Sequence, residues 1–329
     1  MSTILEVAAK AGVSHATITR FFRNPKLLAP VTYDRVKKVV DEMNYVPNAA
    51  ARSLFTGRTD IVSLIVPDIT SSFYTEMASG AEDVAREQGY TLTLGKSEKI
   101  LERQRNYLQA LISHRVDGII LTPASNALDD IELLKRHKIP LVLVDRKIEG
   151  SDVDTVCGDS KEAGRLLTRH FIDQGFKRIA FVGGEPGAWS LEQRLAGYKE
   201  ELAKENLPEQ VHLGNYLPDS GERSVHEIIK ANKLPEAIFA ASSRVVLGVF
   251  KALREHGIQV PSDVAVACVD DVESYSMIDP FLTVVQQPSY DIGKKAMGNL
   301  VKRINGITDP PSVEILPVKL IVRKSSLRV

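Results

Sequence analysis

From residue 61 onward, short apolar runs alternate with longer amphipathic stretches. The first four runs are spaced by 29, 26 and 24 residues and begin near Ile61, Tyr90, Val116 and Pro140. A second series follows in RIAFVGG, VHLGNY, AIFAASS and VAVACVD, separated by helical stretches such as Leu191–Glu205 and Val245–His256. This is the spacing of strand, helix and parallel strand. We therefore predict an α/β fold with two doubly wound parallel sheets, each covered on both faces.

The first 60 residues follow a helical pattern instead. Thr3-Ile-Leu-Glu6 is a capping box, so it predicts a helix from about Ile4 that ends at Gly12. Ser14 is predicted to cap a second helix and Thr32 a third. The predicted buried faces of these two helices are Ile18, Phe21 and Phe22, and Val36, Val39, Val40 and Met43. Helix, glycine turn, helix and supporting helix together are typical of a helix-turn-helix domain.

The start of the second helix favours DNA as the partner of this domain. Small or hydrogen-bonding residues there let a helix end approach base edges, while Ser14, Thr17 and free backbone N–H groups hold phosphates. The alternative is a small three-helix bundle whose polar surface residues do not bind DNA. Residues 1–58 carry nine Lys/Arg and four Asp/Glu, a net charge of +5, and the rest of the chain carries 33 and 38, a net charge of −5. A basic head on an acidic body suits binding of a polyanion.

A short segment between Asn48 and Gly57 is predicted to be a helix of under ten residues. Such a helix is too short to persist alone in water, so it would need a partner helix or a DNA groove. The alternative is a flexible linker between domains.

Three stretches, TILEVAAKAGVSHATITRF, NYVPNAAARSL and IVSLIVPDITSSFY, resemble the LacI/GalR family of bacterial transcription regulators. The resemblance implies a helix-turn-helix domain at 1–46, a hinge helix at 47–58, and an effector-binding and dimerisation domain at 59–329 of the periplasmic-binding-protein type. The first lobe would comprise about 59–159 plus 290–320, and the second about 160–288 plus 321–329. By position, His15, Ala16 and Arg20 would read bases, and Leu54 would wedge between base steps. The residues expected to hold the DNA backbone are Ser14, Thr17, Thr32 and Asn48.

Polar side chains follow the predicted strands of both sheets, where ligands of doubly wound sheets bind. Carboxylates, hydroxyls, an arginine and aromatic faces together suit a polyol. The resemblance likewise implies an effector between the two lobes. The effector residues expected by matched position are Phe73, Thr122 and Asp145 from one lobe and Ser190, Arg194, Tyr216, Ser242 and Asp270 from the other. Helix capping is the alternative role for Asp145 and Asp270.

One departure from the family pattern concerns the effector's charge. Ser242-Ser243 stands where the family usually has Asn-Asp, and Arg244 follows. We therefore predict an acidic effector, a sugar acid or sugar phosphate, paired with Arg194 and Arg244. A solvent-facing Arg244 is the alternative.

Several other classes of function find little support. The chain has no G-x-S-x-G elbow, no phosphate-loop motif and no H-E-x-x-H spacing, and no apolar run of about 18 residues. We therefore expect no enzyme, no cofactor, no metal and no membrane span, with Cys157 and Cys268 as reduced packing residues. The sequence predicts a cytoplasmic, nucleoid-associated, homodimeric repressor that binds a near-palindromic operator. A small-molecule-binding or enzymatic α/β protein, and a periplasmic transport protein, are the alternatives.

Overall fold

The computed structural model describes residues 3–45, 57–272 and 276–328. The chain divides into two compact units, residues 1–59 and residues 60–329. We call the first unit the head and the second unit the body, and each is described by itself.

The head contains three α-helices, α1 (Ile4–Ala11), α2 (His15–Arg23) and α3 (Pro30–Glu42), and a 3₁₀ turn at Pro25–Leu27. The predicted capping box is confirmed: the Thr3 amide donates to Glu6 Oε2 at 2.9 Å and the Glu6 amide donates to Thr3 Oγ1 at 3.3 Å. Gly12 ends α1 with a φ of 63°, a left-handed conformation that glycine adopts without strain. Ser14 caps α2, as predicted, by accepting the Thr17 amide.

Two predictions for the head are wrong in detail. Thr32 does not cap α3: the helix begins at Pro30, and Ala29 is its N-cap. Proline at the first helical position has a preset φ and no N–H to satisfy, so the helix starts three residues earlier than a hydroxyl cap at Thr32 would place it. Phe22 is not buried but 39% exposed, with its ring packed against the rings of Phe21 and Tyr45. The buried core of the head is formed by Val7, Ala8, Ala11, Ile18, Val36, Val39 and Val40.

The body contains two six-stranded sheets. The first has the strand order β11-β5-β4-β3-β1-β2 and is wholly parallel. Its strands are β1 (Ile61–Val66), β2 (Thr91–Lys96), β3 (Gly118–Leu121), β4 (Leu141–Val144), β5 (Asp154–Gly158) and β11 (Val313–Leu316). The second has the order β12-β10-β9-β8-β6-β7, with β12 antiparallel at its edge. Its strands are β6 (Ile179–Val182), β7 (Gln210–His212), β8 (Ala237–Ala240), β9 (Ala265–Val269), β10 (Thr283–Gln286) and β12 (Lys319–Ile321).

Helices connect the strands and cover both sheets. They are α4 (Ser72–Glu87), α5 (Leu101–Ser113), α6 (Asp129–Arg136), α7 (Ser160–Asp173), α8 (Trp189–Lys204), α9 (Pro218–Lys230), α10 (Ser243–Glu255) and α11 (Ser289–Ile304), followed by a 3₁₀ turn at Lys324–Ser326. Central strands such as β3, β4, β8 and β9 are buried along their whole length, because helices pack on both of their faces. Within the described residues, every helix is too short or too polar to cross a bilayer.

The chain passes between the two sheets three times. It leaves the first sheet after β5, returns with α11 and β11, and enters the second sheet again with β12. Residues 319 and 320 were expected in the first lobe, but β12 pairs with β10 of the second sheet, Lys319 opposite Gln286. We call the layers built on the first and second sheets the first lobe and the second lobe.

Candidate DNA-binding face and effector cleft

The exposed start of α2 forms the candidate DNA-binding face of the head. Ser14 accepts the Thr17 amide at 3.3 Å, and the Ser14 and Thr17 hydroxyls lie 3.0 Å apart. The predicted base-reading residues His15, Ala16 and Arg20 are all exposed, and Ile18 on the opposite face is fully buried. An exposed first turn with unpaired N–H groups suits contact with phosphates and base edges. Thr32 is half-buried within the first turn of α3, and Asn48 and Leu54 lie outside the described residues.

Several side-chain contacts join the lobes around the candidate effector site. The Ser72 hydroxyl donates to the Asp271 carbonyl at 2.9 Å, and the Asn126 amide donates to the Gly187 carbonyl at 2.9 Å. Two ion pairs also cross between the lobes, Lys99 with Glu185 at 3.5 Å and Arg244 with Asp68 at 3.6 Å. The carboxyl ends of both sheets therefore face a narrow space between the lobes, which we call the cleft.

Each lobe contributes one buried aspartate that directly follows a central strand, Asp145 after β4 and Asp270 after β9. Both adopt the left-handed region, with φ values of 69° and 66°. A non-glycine residue in this region is uncommon and is enriched at functional sites. Asp145 accepts the Tyr74 hydroxyl at 3.0 Å, and Asp270 accepts both of its bonds from the Gln287 amide, at 3.0 and 3.2 Å. These contacts differ from the alternative role of helix capping.

Arg194 and Tyr216 bring unpaired hydrogen-bonding atoms into the cleft from the second lobe. Arg194 is 3% exposed, and its Nη1 donates to the Ala241 carbonyl at 2.8 Å, while its Nε has no partner. The Tyr216 hydroxyl is likewise buried without a partner, and Ser190 is buried on the same helix as Arg194. The Arg194 charge partly offsets the desolvation that raises the pKa of Asp270 to about 6, so these two residues are close.

The other predicted effector residues differ in whether they offer a free hydrogen-bonding atom. Thr122 does, because its hydroxyl is buried without a partner. Ser242 uses its hydroxyl to cap α10 by accepting the Val245 amide at 3.3 Å. Phe73 packs in the apolar core of the first lobe and edge-on against Tyr74. Arg244 pairs with Asp68 of the first lobe and lines a pocket between the lobes together with Ser72 and Thr75.

Sequence reasoning missed three residues that shape the cleft. Arg146, next to Asp145, is 3% exposed with an unpaired Nε, and Asp145 Oδ2 lies 3.8 Å away. Its position directly after a strand was a signal that could have identified it. Lys99 lies with its Nζ 3.8 Å above the Tyr216 ring, and Gln287 holds Asp270. Gln287 directly follows β10 and carried the same signal, whereas Lys99 lies in a loop whose path depends on the fold.

We expect Asp270→Asn to stabilise the unliganded body at neutral pH. Desolvation raises the pKa of Asp270 from 3.8 to about 6, so folding disfavours its charged form. A group with a raised pKa stabilises the fold at low pH, and this contribution is lost as the pH rises through about 6. A shift of roughly two pKa units corresponds to about 3 kcal/mol in the free energy of unfolding at pH 7.5. For a body of this size, that is about 5 °C in Tm.

Thermal unfolding of wild type and Asp270→Asn at pH 7.5 and pH 4 measures this effect. The stabilisation should appear at pH 7.5 and vanish at pH 4, where both side chains are neutral. Equal Tm values at both pH values would show that Asp270 is not held in a charge-disfavouring environment.

Outside the cleft, Glu222, His226 and Glu255 lie close enough to one another to hold a metal ion. The Lys251 ammonium already donates to Glu222 at 2.7 Å and lies 3.9 Å from Glu255, so the carboxylates have a cationic partner.

Both cysteines are free and fully buried, as predicted, and burial raises the pKa of Cys157 to about 12.

Comparison with known proteins agrees with this arrangement. Residues 3–48 match the model for bacterial regulatory proteins of the lacI family, and residues 168–326 match the model for a periplasmic binding protein-like domain. The HTH-type transcriptional repressor PurR of Vibrio campbellii is 33% identical over 329 residues, which cover 99% of this chain and 98% of PurR. The ribose operon repressor of Halalkalibacterium halodurans is 32% identical over 326 residues, covering 99% and 97%.

A solved structure gives the same result. The complex of the transcriptional regulator CelR with cellobiose is 29% identical and superposes with a TM-score of 0.75, covering 99% of this chain and 100% of CelR. The curated relatives are transcriptional repressors, so the alternative of an enzymatic α/β protein is not supported. Because these alignments span nearly the whole chain, the chain belongs to the LacI family of bacterial regulatory proteins: it is a transcriptional repressor with a helix-turn-helix domain and a ligand-binding domain, and not an enzyme.

Proposed function

We propose that this repressor controls an operon for the catabolism of a carbohydrate or sugar acid. Its affinity for a near-palindromic operator would depend on a small molecule bound between the lobes. The observation that carries this proposal is the set of buried polar atoms without partners at the carboxyl ends of the strands of both sheets, in Thr122, Arg146, Arg194 and Tyr216. Buried polar groups in folded proteins are almost always paired, so such a set favours a binding site for a polar ligand.

The chemistry of the cleft supports a polyol as this ligand. Asp145 and Asp270 supply acceptors for hydroxyl groups, and the arginines supply donors. Tyr216 adds a buried hydroxyl that can donate or accept. The names of two relatives point the same way, since one is a ribose operon repressor and another was solved with cellobiose. We propose Ser190, Ser242, Phe73 and Arg244 as further residues of this site.

The head supports operator binding through the exposed start of α2. A twofold homodimer would place two such helices on the half-sites of a near-palindrome. From the family resemblance we propose that residues 47–58 form the hinge helix, with Asn48 on the DNA backbone and Leu54 between base steps at the centre of the site. Such a repressor acts in the cytoplasm, on the nucleoid. The effector would bind two arrangements of the lobes with different affinities. This difference sets the largest change in operator affinity that the effector could cause.

Operator binding by wild type and Arg20→Ala tests the DNA-binding half of this proposal. Arg20 is exposed on α2 with its charge available to a base edge, so its removal should lower specific affinity by roughly tenfold to a hundredfold. Fluorescence anisotropy with a labelled operator, selected from random duplexes, measures the affinity at several salt concentrations. Lys161→Ala is the matched control, because Lys161 is an exposed cation of the body that pairs with Glu200.

The affinity of wild type should also fall steeply with salt, since phosphate contacts release counterions. An affinity independent of salt, together with equal binding by Arg20→Ala, would contradict the placement of DNA on α2.

A further inference from the structure

The unpaired atoms of the cleft are mostly hydrogen-bond donors. The Nε atoms of Arg146, Arg194 and Arg244 are donors only, while the hydroxyls of Thr122 and Tyr216 can donate or accept. A neutral sugar hydroxyl needs a donor and an acceptor, and the acceptors that it would meet are the two aspartates, which also accept from Tyr74 and Gln287. A ligand rich in acceptors therefore satisfies the cleft better than one composed of hydroxyls alone.

Lys99 adds a third cation to the part of the cleft around Tyr216. Its side chain is 17% exposed, and its Nζ lies 3.8 Å from the centroid of the Tyr216 ring, across the space between the lobes. Its ion-pair partner is Glu185 at 3.5 Å, and the Glu185 side chain is 46% exposed. This pair is long and half in solvent, so it is weak and a ligand anion can replace it.

The charge of Arg146 acts on the Lys99 ammonium. Desolvation, and then the Arg146 charge, lower the pKa of Lys99 to about 8, against the raising effects of Glu185 and Asp145. Two cations that repel each other in a buried site gain more from a shared anion than either gains from a neutral group. The Arg146 guanidinium and the Lys99 ammonium thus bring two cations to the side of the cleft that holds the Tyr216 ring, where the nearby acceptors are the Glu185 and Asp145 carboxylates.

We propose that Lys99 and Arg146 form an anion subsite of the cleft, so that the effector is a polyol bearing a carboxylate or a phosphate. Within this site Lys99 is the residue that selects the anion over the neutral parent sugar. The proposal rests on the effector site described above, and it names the ligand class of that site. It assigns the anionic group to the Lys99 side of the cleft, whereas Arg244 at the rim is occupied by Asp68.

Calorimetry of the full-length protein with four matched probes tests this inference: D-gluconate against D-glucose, and D-ribose 5-phosphate against D-ribose. In wild type at pH 7, at least one anion should bind roughly tenfold to a hundredfold more tightly than its neutral parent, the range for a charge-assisted hydrogen bond in a buried site. The carboxylate and phosphate pairs distinguish the two sources of the anion. Lys99→Met should reduce this preference to within about twofold, and Lys99→Arg should keep it.

The matched control is Lys295→Met, which removes an exposed cation paired with Glu314. It should keep the wild-type preference. The preference of wild type should also fall as the pH rises from 7 to 9, because Lys99 loses its proton there, while Lys99→Arg should show no such fall. The groups that face Lys99 in this titration are Glu185, Arg146, Asp145 and Tyr216.

Each other outcome overturns a distinct claim. Equal binding of anions and parent sugars by wild type, or an unchanged preference in Lys99→Met, would refute the anion subsite and leave the polyol site standing. Equal losses of both ligands in Lys99→Met would show that Lys99 only ties the lobes together. If none of the four probes binds while the operator still binds, the polyol class itself is wrong.

Discussion

Arg194→Ala should abolish the effector response and leave operator binding intact. The guanidinium is buried, donates to the Ala241 carbonyl at 2.8 Å, and keeps its Nε free for a ligand. Removing a buried charged donor from a binding site costs a few kcal/mol, which is about a hundredfold in effector affinity. Calorimetry of effector binding and anisotropy of operator binding, both on the same preparation, measure the two halves of the prediction.

Two further variants guard this result against a simple loss of folding. Arg194→Lys keeps the charge but loses the planar fork of donors, so it should show an intermediate affinity. Arg223→Ala removes an exposed arginine from α9 and should behave as wild type. If Arg194→Ala still responded at unchanged effector concentration, Arg194 would not belong to the effector site.

Ile18→Ala should remove operator binding and leave effector binding unchanged. Ile18 is fully buried, and it is one of only seven buried residues in the described core of the head. Truncating a buried isoleucine to alanine costs about 2 to 5 kcal/mol, and a unit this small has little stability to lose. The head should therefore be largely unfolded, and operator affinity should fall by about thirtyfold or more.

The control for this variant is Leu5→Ala, which removes an apolar side chain from the same unit at a position 66% exposed. It should bind operator as wild type does. Anisotropy with the labelled operator and calorimetry with the effector measure both variants. Wild-type operator affinity in Ile18→Ala would show that α2 is not held by this core.

The sequence predicted most of the fold because local signals and burial agree along much of the chain. The Thr3 capping box, the turn at Gly12 and the buried strand runs are each visible within a few residues, and the structure confirms them. The start of α3 was misplaced because proline at the first helical position competed with a nearby hydroxyl. Phe22 was misjudged because the periodicity extends one residue beyond the face that the small core can bury.

The cleft could be predicted only in part. The residues that directly follow central strands, such as Asp145 and Asp270, were identified because parallel strands bring their ends together. Lys99 was missed because its position over Tyr216 depends on how the two lobes meet, which is not encoded in any local pattern. Gln287 was missed although it directly follows β10 and therefore carries the same signal as Asp270. Arg244 was expected at the effector site and stays a prediction, while its ion pair with Asp68 across the lobes could not be read from a local pattern.

The central claim is that effector binding in the cleft changes the affinity for operator DNA, and one titration tests it most directly. The labelled operator is titrated with the full chain, with and without a saturating concentration of whichever of the four probes binds, and the midpoints are compared. We predict a shift of about fivefold to 150-fold, the usual range of coupling between two sites, and no shift for Arg194→Ala. Identical midpoints for wild type with and without saturating ligand would contradict the account.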